Sequence, residues 1–236
     1  TLHFLVKISI HAINPRLFDA VLATYDRGLG LGHDPVALLL SLLEPFPWIL
    51  RFLDFAYGFA YFATVVISGP ALAFLVPARK DRLAFAAAFN LLWIVGAVFY
   101  VAFPSWGPAF SNHDAFAAAQ AHMPVTRWGQ GELAKELWGL LSDPYGQRPY
   151  GFGGVAAFPS LHIAVITLLT LCSWRAWKSW GLVNAGIAVV LFIGSMVTGY
   201  HYLFDSLAGI VIAAAALLLA DRWVSACLRA QGEGGS

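Results

Sequence analysis

Long apolar blocks, each cut off by a short basic or proline-containing run, set the rhythm of this chain. The blocks run from Trp48 to Val76, Leu83 to Phe103, Val155 to Trp174, Gly181 to Thr198 and Tyr202 to Val224. Each is near the ~20 residues that a helix needs to cross a bilayer. Five spanning helices are therefore expected. Ser68-Gly69-Pro70 should kink the far end of the first. The second is stopped by Pro104, and a polar connection of about 50 residues follows, long for a passive loop. Two stretches in it read as helices, near Asp114 to His122 and Glu132 to Leu141, before the flexible run Gly151-Phe152-Gly153-Gly154. Residues 1–44 are apolar but interrupted by Lys7, Pro15, Arg16, Asp26, Arg27 and the glycines from Gly28 to Gly32. They read as short helices lying in the interface, with Leu2 to Ile10 as the end of a further span the alternative. Asp34-Pro35 marks a helix start, an N-cap followed by proline in the first turn. Pro45 and Pro47 end that helix.

Composition turns these apolar blocks into a membrane protein. The chain is 59% hydrophobic and 11% charged, where a soluble domain carries roughly 25% charged residues. The fold expected is all-α, a polytopic membrane bundle of five to six spans. It forms one integral-membrane catalytic domain over 1–236, with interfacial helices over 1–44 and a helical cap loop over 104–158. A net charge of +1 gives no reason to expect nucleic acid. Cys172 and Cys227 lie in apolar segments and read as free thiols rather than a disulfide framework. Thr1 is not an initiator and Gly232 to Ser236 resembles a linker remnant, so both ends are expected to be trimmed. No cleavable signal peptide is evident. Arg79, Lys80 and Arg82, Arg175 and Lys178, and Arg222 and Arg229 fall at one end of the spans. By the positive-inside rule that end is cytoplasmic, and the cap loop is extracytoplasmic.

The polar residues that face the cap side are the candidates for chemistry. His162 opens the third span and His201 follows the fourth, so an apolar hairpin returns both to one membrane face. His201 and Asp205 are four apart and on a helix would share a face and hydrogen-bond. A carboxylate on one imidazole nitrogen leaves the other as a nucleophile. His162 could then serve as acid on a leaving oxygen and base on an acceptor. Ser160 and the first amides of the third span suit a phosphate, with Pro159 in the first helical turn. Lys135 or Arg148, from the loop, could neutralise phosphate oxygens. Two alternatives stay open: packing histidines, or a zinc site of His162, His201 and Asp205 with an open fourth position. No HExxH helix supports the zinc reading, and no metal or cofactor is called for. Arg51 and Asp54 read as a structural pair, and His3, His11, His33, His113 and His122 as interfacial or solvated.

Ala157-Phe158-Pro159-Ser160-Leu161-His162 and His201-Tyr202-Leu203-Phe204-Asp205-Ser206-Leu207-Ala208-Gly209 resemble the second and third motifs of the type 2 phosphatidic acid phosphatase (PAP2) superfamily. The chain is most similar to its inositol phosphorylceramide synthase branch, the aureobasidin-sensitive lipid phosphotransferases. Phe103-Pro104-Ser105-Trp106-Gly107-Pro108, Leu53-Asp54-Phe55-Ala56 and Gly131-Glu132-Leu133-Ala134-Lys135 match it further, and the likeness runs from Pro47 to Val224. It implies His201 as a nucleophile forming a phosphohistidine, Asp205 as its orienting base and His162 as acid and base. The superfamily's first motif, KxxxxxxRP, is absent, and Gly194-Ser195 stand where Ser-Arg usually opens the third. Both departures agree with the synthase branch and leave Lys135, Arg148 and Arg127 as candidate phosphate cations. The resemblance implies phospholipid and lipid-alcohol substrates, with a head group passed to an alcohol such as ceramide. Hydrolysis of a lipid phosphate is the alternative, and a non-enzymatic scaffold or transporter the third reading. Head group, acceptor and oligomeric state are not legible.

Overall fold

In the computed structural model, residues 2–142 and 155–232 are described. All their regular elements are helical: α1 (Leu2–Ile13), α2 (Asp19–Leu29), α3 (Pro35–Leu43), α4 (Pro47–Phe55), α5 (Tyr61–Pro70), α6 (Arg79–Ala102), the single turns α7 (Pro108–Ser111) and α8 (Ala117–Gln120), α9 (Pro124–Ser142), α10 (Leu161–Ala176), α11 (Lys178–Val197) and α12 (Leu203–Ala230). Helices α4 and α5 form one continuous rod, Pro47–Leu75, through the π-helical turns Ala56–Ala60 and Ala71–Leu75. The second π turn follows Pro70 directly. Proline lacks the N–H that would close the regular ladder, and the wider turn absorbs the expected kink.

Four of these rods are long and apolar enough to cross a membrane: Pro47–Leu75, Arg79–Ala102, Lys178–Val197 and Leu203–Ala230. The fifth, α10, is shorter, at 16 residues, and sits in the middle. It packs against α5, α6, α11 and α12, and Val165, Ile166, Leu168 and Leu169 are wholly buried. A helix apolar on every face belongs inside a bundle. The surrounding rods turn Phe62, Val66, Ile94, Val98, Val189, Val211 and Leu218 outward, an apolar exterior suited to acyl chains. The chain is an all-α integral-membrane protein.

Several span boundaries move from the sequence reading, the fourth starting at Lys178 and the fifth running on to Ala230. The second span begins at Arg79 rather than Leu83, because its basic residues sit on the first helical turn. Arg82 folds back there to donate to the Val76 and Pro77 carbonyls at 2.6 and 3.0 Å. The third begins at Leu161 rather than Val155. Residues Ala157 and Phe158 instead hydrogen-bond as extended chain to the Ser105 carbonyl and hydroxyl, each at 2.9 Å. Asp34 caps α3 as its sequence suggests, accepting from the Val36 and Ala37 amides.

The helices before Pro45 do more than coat an interface. Ile10 of α1 is buried to 1% exposure and belongs to the main core. Asn14 closes the end of α6 by donating to the Val101 carbonyl at 2.9 Å. The basic end of the bundle is joined by Arg175 to Asp221 at 2.5 Å, between α10 and α12.

Candidate active site

At the opposite end of the bundle, the two histidine segments meet. His162 occupies the second position of α10, after the N-cap Ser160. His201 lies in the five-residue link, 198–202, between α11 and α12, and its ring centroid is 5.9 Å from that of His162. Gly209 makes the approach possible: a Cβ there would stand 2.5 Å from the Ser160 carbonyl oxygen. The Ser160 amide donates to the Asp205 carbonyl at 3.1 Å, tying the start of α10 to the first turn of α12.

The link between His201 and Asp205 differs from the expected one. Because His201 precedes the helix, the two do not share a helical face. The His201 Nδ1 lies 2.9 Å from the Ala157 carbonyl oxygen and 3.6 Å from Asp205 Oδ2. A carbonyl can only accept, so Nδ1 carries the proton and Nε2 holds the lone pair. The same Asp205 Oδ2 accepts from the Tyr202 amide at 2.9 Å, capping α12 from its own first turn. Its other oxygen, Oδ1, is buried with no hydrogen-bond partner among the described residues. His201 itself is 3% exposed. Burial pushes its pKa down to about 3, against the Ala157 bond and with help from the charge of Lys7. At neutral pH the imidazole is therefore uncharged.

His162 has a different setting. Its Nδ1 is 3.4 Å from the hydroxyl oxygen of Tyr57. The Tyr61 ring meets it edge-on at 4.5 Å.

Three aspartates far away in sequence hold this end together, and none was singled out for that role. Asp26 of α2 accepts from the Leu203 and Phe204 amides, each at 2.8 Å, so the first turn of α12 is capped from another helix. Burial pushes its pKa up to about 6, while those two amides pull the other way. Asp19 accepts from the Trp106 and Gly107 amides and from the Tyr202 hydroxyl. Asp54 accepts from the Val125 and Thr126 amides at 2.9 and 2.7 Å. It caps α9 rather than pairing with Arg51, because uncapped amides at a helix start are the stronger demand on a buried carboxylate.

Helix α9 is anchored beside the site. Its start is held by Asp54, and Gln130 donates to the Thr198 carbonyl at 2.7 Å. Further along, Glu136 faces Lys7 electrostatically and Trp138 meets Trp106 edge-on at 6.2 Å. The expected helix at Glu132 to Leu141 is thus part of a longer one. The piece at Asp114 to His122 is a 3₁₀ turn, His113–Phe116, followed by α8.

The proposed phosphate ligands fare unevenly. Ser160 is fully buried, and its hydroxyl accepts from the Ile163 amide at 3.4 Å. The Leu161 amide is taken by Tyr100. The amides expected to be open at this helix start are therefore largely engaged, and Pro159 lies before the cap rather than in the first turn. Lys135 is at the surface, paired with Glu132 at 2.7 Å. Arg148 and the glycines 151–154 lie outside the described residues.

One cation was passed over. Lys7 of α1 points inward, its ammonium 5.9 Å from the centroid of the buried Tyr100 ring. Burial pulls its pKa down to about 8, opposed by Glu136, so it keeps most of its charge at neutral pH. A lone lysine in an apolar stretch reads as a snorkelling residue. Only the packing of α1 on α6 reveals it. His11 likewise has a partner, accepting from the Trp106 indole at 3.0 Å. Among the described residues, no three histidine, cysteine or carboxylate side chains converge as a metal-holding group.

Two facing histidines at one end of a membrane bundle, one neutral and fixed in tautomer, can supply a nucleophile and an acid–base group. The family model described as PAP2 superfamily matches residues 20–219. The chain belongs to the PAP2 superfamily, and is an enzyme of that phosphatase and phosphotransferase class acting on lipid phosphates. Searches of curated proteins and of solved structures return no match.

Proposed function

We propose that this enzyme transfers a phospho-head-group from a glycerophospholipid to a lipid alcohol such as ceramide, as the likeness to the inositol phosphorylceramide synthase branch implies. The carrying observation is the neutral His201, its Nδ1 held by the Ala157 carbonyl 2.9 Å away and its ring opposite His162. In the first half-reaction His201 Nε2 attacks phosphorus. The bond from phosphorus to the diacylglycerol oxygen breaks, and His162 gives that oxygen its proton. In the second, His162 removes the proton of the acceptor hydroxyl, whose oxygen displaces the histidine. Asp205, 3.6 Å from Nδ1, stabilises the ring as charge develops on it. Lys7 supplies positive charge for the phosphoryl oxygens, in place of the basic motif positions that this chain lacks. Ser160, as the cap of α10, positions His162, and Lys135 stands at the surface of α9, paired with Glu132.

Transfer in preference to hydrolysis is supported by the 3% exposure of His201, which keeps water from the intermediate. The site opens on the extracytoplasmic face in this reading, because the basic ends of the spans gather at the other. The test is product analysis with purified, reconstituted protein. Phosphatidylinositol and ceramide should give a new phosphoinositol-bearing sphingolipid and equimolar diacylglycerol. Inorganic phosphate released from phosphatidic acid, with no new lipid from any donor and acceptor pair, would replace transfer by hydrolysis.

A further inference from the structure

Tyr57 sets a buried hydroxyl 3.4 Å from His162 Nδ1, and the mechanism above gives it no role. It sits in the π-helical turn Ala56–Ala60 of the first span and is 7% exposed. Such turns widen the helix locally and often occur at functional sites. Here the wider turn brings Tyr57 and Tyr61, four residues apart, against the same imidazole, with ring centroids 5.5 and 4.5 Å from that of His162. Tyr57 also stacks on Tyr200 at 5.6 Å and 22°, next in the chain to His201. Across from it Gly194 carries no side chain, where a Cβ would lie 3.3 Å from the Tyr57 Cβ. The ring is thus fixed from three sides, with its hydroxyl 3.4 Å from His162 Nδ1.

A group that is acid in one half-reaction and base in the next needs a partner that tolerates both states. A hydroxyl can donate to an imidazole nitrogen or accept from its N–H. A carboxylate in the same place would hold the imidazolium form and add another buried charge beside Asp205. We propose that Tyr57 is the positioning residue for His162, engaging Nδ1 so that proton exchange with the leaving and accepting oxygens runs through Nε2. This rests on the reading of His162 as acid and base.

The decisive comparison is Tyr57→Phe against the unaltered enzyme in single turnovers, on two donors. One carries an alkyl leaving group, which must be protonated, and the other p-nitrophenolate, which need not be. The variant keeps the ring and its stacking. Release of the alkyl alcohol should slow about 10-fold or more, and the nitrophenolate burst by less than about 2-fold, with KM for both unchanged. His162→Ala should show the same bias, larger. Equal slowing of both donors, or of neither, would overturn the role given to Tyr57. If His162→Ala also lacks the bias, the acid–base reading itself falls. If His162→Ala has it and Tyr57→Phe does not, only the positioning role is lost.

Discussion

His201 and His162 face each other across 5.9 Å, in surroundings of opposite character. Around His201 the backbone is over-determined. Its amide donates to the Ser195 carbonyl at 3.2 Å and its ring to Ala157. The next three amides go to Asp205 and Asp26, while the Tyr202 hydroxyl donates to Asp19. Around His162 stand aromatic rings, with the Tyr57 hydroxyl 3.4 Å from Nδ1. The contrast matches the two tasks proposed for them. A nucleophile must present one lone pair along one line, and each ordering bond removes conformations that miss it. A proton carrier changes charge twice per cycle, and polarisable rings with a neutral hydroxyl accommodate both forms.

Substitutions can break this contrast at graded cost. The largest effect after loss of the histidines themselves should come from Lys7→Met. It removes the inward cation while keeping most of the stem, and kcat/KM should fall on the order of 10²-fold. Lys7→Arg should recover much of this, measured by steady-state kinetics on the reconstituted enzyme. Asp205→Asn should cost less, about 10- to 100-fold in kcat. The Ala157 carbonyl still sets the tautomer there, so the loss is confined to stabilising charge on the ring. A fall as deep as that of a His201 variant would mean that Asp205, not Ala157, orients the ring. Smallest is Asp26→Ala, which uncaps α12 from a distance. It should lower unfolding free energy by about 1–2 kcal/mol, seen as a reduced melting temperature in detergent. Asp26→Asn, which keeps an acceptor, should lose less.

The same contrast explains what could be read in advance. The spans were legible because hydropathy in long blocks is local, while their ends moved, as at the entry to α10, where Ser105 holds the preceding strand of chain. That His162, His201 and Asp205 meet at one end was legible because they sit in two short motifs. The clamps were not. Asp19 meets Trp106 across 87 positions and Asp26 meets Leu203 across 177, and no periodicity reports such a bond. Asp54 was misread for a similar reason. Arg51, three residues away, offered a local partner, while the amides it caps lie 71 and 72 positions on. Lys7 stayed hidden because one lysine among apolar residues looks alike on a surface helix and on one packed into a site.

The central claim is that His201 carries the phosphoryl group between donor and acceptor. Rapid quenching of His162→Ala with a phosphorus-labelled p-nitrophenyl donor should trap an acid-labile, base-stable adduct. Peptide mapping should place the label on the segment containing His201, and His201→Gln should show neither adduct nor turnover. Label on another residue, or full turnover by His201→Gln, would contradict the account.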